Sequence, residues 1–352
     1  MEHRKRRFFT RFSRLSRGAA IAYPLALLAL SAALLWIGER HWLTAWLLYV
    51  PRVVFAAPLL LITPALLLAG AKKLLWTQIV ALLLTVGPLM GLVLPWPTRA
   101  AGGPTLELLS YNVDTAHAGA DKVLRVVDHV DPDLVMLQEA PWHGPLHDGL
   151  RARFPYFDST SQFILASRYP ILERTAPKAA AMDVGPYQGL HRFMRYVVDS
   201  PLGKLAVYNL HPVSPRGKLG VERARRILKR RPTPRQDGNG DPEVNLATNA
   251  AMREAQIAEA AALAQNERYP VLLAGDTNLP GLSAALHRHL GRYEDGFNAA
   301  GSGFGYTFPA RRPFLRLDRI LVGSPLGFGR FRHGCPGASD HCWVSAQLFR
   351  RR

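Results

Sequence analysis

The sequence predicts a mixed α/β domain of the α+β kind, carried behind three N-terminal transmembrane helices, and three observations predict it. Uncharged apolar runs fill most of residues 1–96. Apolar runs of strand length recur from residue 105 onward, and helical patterns lie between some of them. A chain of 352 residues is long enough for two such parts.

Taking the membrane part first, Ala19–Ile37 and Val53–Ala71 each hold 19 residues without a charge, and Leu74–Trp96 holds 23. About 20 are needed to cross the hydrocarbon core. Pro24, Pro58 and Pro64 fall inside these runs, where spanning helices tolerate them because neighbouring helices satisfy the freed backbone groups. A cleaved signal peptide does not fit, since the first run exceeds a usual signal core and two more follow. Arg52 and the apolar stretch Trp42–Val50 blur the start of the second span, and an interfacial helix fits there.

Charge sets the expected orientation. Residues 1–96 carry 11 of the 44 Lys/Arg and 2 of the 26 Asp/Glu, so each portion of the chain holds a formal +9 of the total +18. Arg4, Lys5, Arg6, Arg7, Arg11, Arg14 and Arg17 form a basic head before the first run, as cytoplasmic flanks do. Placing Lys72 and Lys73 on that same side requires an odd number of crossings. The expectation is a multi-pass protein of the cell (inner) membrane with the domain that follows the spans extracytoplasmic, or periplasmic.

Residues 97–104, PTRAAGGP, read as a linker between the membrane part (1–96) and a second domain (105–352). Within that domain strands are expected at Thr105–Val113, Asp133–Leu137, Phe163–Ala166, Leu205–Leu210, Val271–Ala274, Arg319–Val322 and Trp343–Leu348. Helices are expected at Lys122–Val130 and Met252–Gln265. A basic insertion occupies 216–249: Arg216–Arg235 has nine Lys/Arg against Glu222 alone, and Gln236–Asn249 is rich in loop formers. The run reads equally as a solvated face or as an anion-binding arm.

Polar residues gather where these strands end: Asn112, Gln138-Glu139, Asn209 to His211, Asp276-Thr277-Asn278, and Ser339-Asp340-His341 before the last strand. Hydrolysis of a phosphate ester needs a hard cation held by oxygens, an acid/base pair and an oriented water. Carboxylates, amides and histidines placed repeatedly at strand ends supply such a set. No nucleophile elbow, Walker loop, zinc spacing or dinucleotide fingerprint competes with it.

The segments SYNV (110–113), DLVMLQEA (133–140), LASRYPI (165–171), YNLHP (208–212), LLAGDTNLP (272–280), RLDRILVG (316–323) and SDH (339–341) occur in the order seen in the endonuclease/exonuclease/phosphatase superfamily. The chain resembles that superfamily over about residues 104–349. The resemblance implies a four-layered sandwich, two mixed β-sheets face to face with helices outside. It also implies Mg²⁺ or Mn²⁺ as cofactor, with Glu139, Asp340 and Asn112 at the metal. Asp276 would position or deprotonate the attacking water, and Asn278 would hold the phosphate. His341 would contact the scissile phosphate, oriented by Asp318, and His211 would donate to a phosphate oxygen or to the leaving group. Arg168 either contacts an anion or staples a turn. Asp276 and Asn278, two apart, are expected on one face of an extended segment.

The function expected is therefore a membrane-anchored, divalent-metal phosphoesterase. Membrane lipid phosphates are favoured over nucleic acid, because anchoring raises the effective concentration of a lipid head group. An extracytoplasmic nuclease is the first alternative, and a non-catalytic receptor or scaffold with this fold the second. Cys335 and Cys342, the only cysteines, flank Asp340 and His341 and would pair in an oxidising compartment. The sequence singles out no protein partner.

Overall fold

A computed structural model describes residues 2–94, 102–177, 190–215 and 242–351. The basic run Arg216–Arg235 and most of the 97–104 linker lie outside the described residues.

The apolar segment opens with α1 (Glu2–Trp36), which carries Pro24 inside it. A 3₁₀ turn, Gly38–Arg40, leads into the short α2 (Trp42–Leu47). The second expected span, Val53–Ala71, differs from the sequence expectation. It forms a 3₁₀ turn, Arg52–Ala56, and a ten-residue helix α3 (Leu59–Leu68), with Pro58 at the junction. Helix α4 (Leu75–Leu84) continues as a π-helical turn to Leu89. Two stretches, Arg6–Trp36 and Lys72–Leu89, are long and apolar enough to cross a membrane, and Arg52–Leu68 is a shorter apolar one.

These helices pack on one another in two levels. Ala20, Leu66, Ala69 and Ala71 are buried together beside Phe12 and Leu74, which places the Lys72-Lys73 turn by the basic half of α1. Leu27, Leu34, Leu48, Ala81 and Leu89 form the other level, and Leu282 of the catalytic domain packs against it.

The catalytic domain contains β1 (Thr105–Asn112), α5 (Ala120–Val130), β2 (Leu134–Gln138), α6 (Pro145–Arg151), β3 (Tyr156–Thr160), β4 (Phe163–Ser167), β5 (Ile171–Thr175), β6 (Phe193–Ser200) and β7 (Gly203–Leu210). It continues with α7 (Pro242–Gln265), β8 (Val271–Asp276), α8 (Ala284–Leu290), β9 (Glu294–Asp295), α9 (Gly296–Ala300), β10 (Asp318–Val322), β11 (Leu326–Gly334) and β12 (Trp343–Arg350). The strands form two mixed six-stranded sheets, ordered β11-β12-β1-β2-β4-β3 and β5-β6-β7-β8-β10-β9.

Alternation along the strands builds the layers. Leu106 and Leu108 of β1, Leu134 and Met136 of β2, Leu205 and Val207 of β7, Leu272 and Ala274 of β8, and Ile320 and Val322 of β10 meet in one buried cluster between the sheets. Residues of opposite parity face outward. Leu109, Tyr111, Val135 and Leu137 pack under Val123 and Val127 of α5 and Leu146 and Leu150 of α6. On the other side Tyr208, Leu210, Leu273 and Leu321 pack under Ile257, Ala260 and Ala264 of α7 and Leu286 and Leu290 of α8. Helix, sheet, sheet, helix is the four-layered arrangement expected.

Candidate active site

The same alternation that fills the core places the polar residues. Residues 106 and 108 of β1 point between the sheets, so 110 and 112 do too. By the same count Gln138 follows 134 and 136, Asn209 and His211 follow 205 and 207, and Asp276 follows 272 and 274. Asp318 precedes 320 and 322. Strands β1, β2, β7 and β8 end at one edge, and β10 begins there, with Asn112 opposite Gln138 and Asp318 opposite Asp276 in the ladders. Where the core-facing positions turn polar, the two sheets present amides, carboxylates and imidazoles to a common seam. Gln138 Nε2 donates across it to Asn209 Oδ1 at 2.7 Å and Asn209 Nδ2 to the Leu137 carbonyl at 3.0 Å, which pins the floor of the site.

Asp276 is the centre. Its Oδ2 accepts from Asn112 Nδ2 at 3.2 Å and lies 3.7 Å from His211 Nε2 and 3.5 Å from His341 Nε2. Asn112 Nδ2 also donates to Glu139 Oε1 at 3.0 Å, and His211 Nε2 stands 3.3 Å from that same oxygen. The Gln162 amide donates its Nε2 to the His191 carbonyl at 2.8 Å, which turns Oε1 toward His211 Nδ1. His211 Nδ1 therefore carries a proton, and its buried Nε2 makes no hydrogen bond among the described residues and faces the space beside Glu139 and Asp276.

His341 is oriented the same way from the other flank, its Nδ1 donating to Asp318 Oδ2 at 2.9 Å. Burial alone would push this imidazole down. The carboxylates of Asp318, Asp276 and Asp340 outweigh it and hold His341 at about 9. Burial in turn pushes the Asp318 carboxyl up, an effect the adjacent His341 opposes. Thr307 fixes the base of this pair, its Oγ1 accepting from the Leu317 and Asp318 backbone N–H groups. The Phe308 ring lies 4.8 Å from that of His341.

Two site residues are held in backbone conformations that side chains other than glycine seldom adopt, Glu139 at φ 47° and Asn278 at φ 50°. Strain of this kind costs on the order of 1–3 kcal/mol and persists where its surroundings enforce it. Cys335 and Cys342 are joined in a disulfide that closes the loop bearing Asp340 and His341.

The structure brings Asn112, Glu139, His211, Asp276, Asn278, Asp318 and His341 to one edge. One detail departs from expectation and two fill it in. Asn278 does not follow Asp276 along an extended segment: β8 stops at Asp276, and the Asn278 N–H donates back to Asp276 Oδ1 at 2.9 Å in an Asx turn. Arg168 lies away from the site. Its N–H bonds the Asp133 carbonyl at the far end of β2, and its guanidinium pairs with Asp131 and Asp133, so it staples a turn. Asn112 turns its N–H groups to the carboxylates and accepts from the Asp114 N–H at 3.2 Å, supporting Glu139 and Asp276 from their donor side. Sequence reasoning missed Gln162, for which no signal existed, and Thr307.

The donor set fits a hard divalent cation. Glu139 and Asp276 both offer an oxygen to one Asn112 amide, so the two carboxylates face a common point, and carboxylate oxygen is what such ions take. Among the described residues Asp276, Asp318 and His341 also bring one ligand atom each within 4.8 Å of one another. Two of these three are already hydrogen-bonded to each other at 1 % exposure. That pairing favours Glu139, at 27 % exposure, over Asp318 as the carboxylate that meets an ion from solvent.

A buried two-sheet sandwich with carboxylates, amides and two oriented histidines at one edge defines a phosphoester-cleaving class of protein. The sequence model of the Endonuclease/Exonuclease/phosphatase family matches residues 109–341, and the chain belongs to that family. It is a metal-dependent hydrolase of ester bonds, of the phosphatase, phosphodiesterase and endonuclease type. Among solved structures the chain is similar to an endonuclease/exonuclease/phosphatase from Beutenbergia cavernae, at 17 % identity and TM-score 0.49, over 70 % of this chain and 72 % of that one. It is also similar to truncated TDP2 of Caenorhabditis elegans, at 18 % identity and TM-score 0.48, over 70 % and 97 %. SmcL aligns at 13 % identity and TM-score 0.50, over 70 % and 99 %. At these identities the likeness concerns the fold alone. No curated protein matches the chain.

Proposed function

We propose that the chain is a membrane-anchored phosphoesterase that uses Mg²⁺ or Mn²⁺ and acts on phosphorylated lipids at the extracytoplasmic face of the cell membrane. The observation that carries this reading is the seating of the catalytic edge on the ends of the apolar helices. The Tyr306 hydroxyl, one residue from Thr307, donates to the Met90 carbonyl at 2.9 Å, and Val93 pairs with Gly303 in a short antiparallel bridge. Buried Glu39 accepts from Ser283 Oγ and from the Ala285 N–H at the start of α8. Gly38, at φ 52°, lies so close to Ala284 that a Cβ there would meet it at 2.7 Å.

Both ends of the apolar segment nearest the catalytic domain, 38–49 and 90–93, thus meet the side that bears the site. The Lys72-Lys73 turn sits beside the basic half of α1, at the opposite level. That arrangement supports three crossings with the catalytic domain outside. Trp42 and Trp46, one turn apart on α2, are each nearly half exposed, as aromatic residues at a membrane–water boundary are.

A bound cation would neutralise charge developing on the phosphoryl oxygens; Glu139 and Asp276 would hold it, with Asp340 on the neighbouring loop. Asp276 orients the attacking water. His341, protonated and steadied by Asp318, donates to a phosphoryl oxygen, and His211 Nε2 serves the leaving group from the other side. Asn278 completes the phosphate pocket.

The test is the full chain in vesicles with Mg²⁺, offered a polyprenyl pyrophosphate, an anionic phospholipid and plasmid DNA. Turnover of a lipid phosphate with little DNA cleavage is expected. DNA cleavage without lipid turnover would overturn the lipid assignment in favour of an extracytoplasmic nuclease, to which the basic run 216–235 would contribute.

A further inference from the structure

A buried chain of hydrogen bonds runs from the apolar segment into the catalytic edge. The Tyr49 hydroxyl, just beyond α2, donates to the Asn278 carbonyl at 2.8 Å. It accepts in turn from Arg253 Nη1 at 3.1 Å. Arg253 is 1 % exposed and has the Tyr49 ring near its guanidinium, 5.9 Å away. Its Nε donates to the Val213 carbonyl at 2.9 Å and its Nη2 to Asn249 Oδ1, while Asn249 Nδ2 reaches the Ser214 carbonyl at 3.1 Å. One phenol and one guanidinium therefore tie together the loop after β7, which starts at His211, and the turn after β8, which holds Asn278.

We propose that Tyr49 is a positioning residue for the hydrolysis reaction, so that the apolar segment is a working part of the active site as well as an anchor. The inference rests on the phosphoesterase assignment and is independent of whether the substrate is a lipid. Asn278 sits at φ 50° and 3 % exposure, a conformation that its neighbours must enforce. Its N–H orients Asp276 through Oδ1, and its side chain donates to the Pro212 carbonyl at 3.0 Å. Its backbone carbonyl is held by Tyr49. Without the phenol a buried carbonyl loses its partner, and the turn that aims the Asp276 carboxylate loses its outer tether.

The connection also explains why Arg253 is buried: its donors go to the Val213 carbonyl on the catalytic loop, to Asn249 Oδ1 on α7 and to the Tyr49 hydroxyl. Such a group fixes geometry at a desolvation cost that a surface tether would not need.

The experiment compares full-length wild type, Tyr49→Phe and Tyr23→Phe in detergent micelles with Mg²⁺ or Mn²⁺, using bis(4-nitrophenyl) phosphate as a small soluble substrate. Each kcat is measured well below that variant's melting midpoint, so that folded enzyme is compared. Phe keeps the ring and removes only the hydroxyl. Tyr23 bonds the Phe55 carbonyl within the apolar segment. The expected result is a kcat about tenfold lower for Tyr49→Phe, with KM little changed, and wild-type kcat for Tyr23→Phe. Wild-type kcat in Tyr49→Phe overturns the proposal, as does an equal loss in both variants, which would mark a general effect on helix packing. Absence of wild-type turnover with either metal would remove the reaction itself, and the proposal with it.

Discussion

His341 Nδ1 lies 2.9 Å from Asp318 Oδ2, with both side chains 1 % exposed, across a seam where β10 begins and β12 is about to begin. The ordinary histidine value is 6.5, and His341 is held at about 9. A raised value means that the imidazolium is the bound form through neutral pH. Its stabilisation of the fold is fully present below about 6.5 and is lost as pH rises through 9. Activity that depends on the imidazolium should fall on the same alkaline side.

Asp318→Asn tests this directly. Removing the carboxylate that favours the imidazolium lowers the His341 value, so the alkaline limb of the kcat profile should move toward neutrality, and kcat at its optimum should drop by about 10²–10⁴-fold. A limb that stays in place would show that another group sets it.

Glu139→Gln and Asp340→Asn each keep shape and remove a formal charge. Turnover should fall by about 10²-fold or more, and the Mg²⁺ concentration needed for half-maximal activity should rise, with far-ultraviolet circular dichroism unchanged. Chelation with EDTA should silence wild type, and added Mg²⁺ or Mn²⁺ should restore it. Near-normal activity of either variant at low Mg²⁺ would remove that residue from the metal site.

Gly275→Ala concerns stability. Gly275 has φ 140°, and a Cβ there would stand 2.1 Å from the Leu210 carbonyl oxygen of the neighbouring strand. Backbone cannot yield as a flexible side chain would, so β7 and β8 would have to separate just where His211 and Asp276 leave them. A loss of at least about 2–3 kcal/mol is expected in chemical denaturation. Unchanged stability would contradict the close approach of these strands.

Orientation is open to fusion. A reporter enzyme active only outside the cytoplasm should work when joined after Trp96 and stay silent after Lys73. The reverse pattern would put the catalytic domain in the cytoplasm. Thiol labelling without reductant is the linked measurement, since the Cys335–Cys342 disulfide should leave no reactive thiol in an oxidising compartment.

The sequence by itself determined the apolar segment, the central strands and most of the catalytic set. Strands β1, β2, β4, β7, β8, β10 and β12 are buried, and burial on both faces writes a continuous apolar run that needs no partner to be recognised. Glu139, His211, Asp276 and His341 stood out because a polar residue ending such a run is chemically conspicuous. The four edge strands, β3, β5, β9 and β11, escaped, as did β6 beside one edge. An edge exposes one side to water, and segments such as YFDST and ILERT therefore carry no unbroken apolar pattern. Only the tertiary structure decided which amide orients which imidazole, that Asn278 turns back on Asp276, that Arg168 belongs to a distant turn, and that Tyr49 reaches Asn278 across 229 residues of chain. Those relationships depend on side chains from separate elements converging within hydrogen-bond distance, and local periodicity holds no record of such meetings.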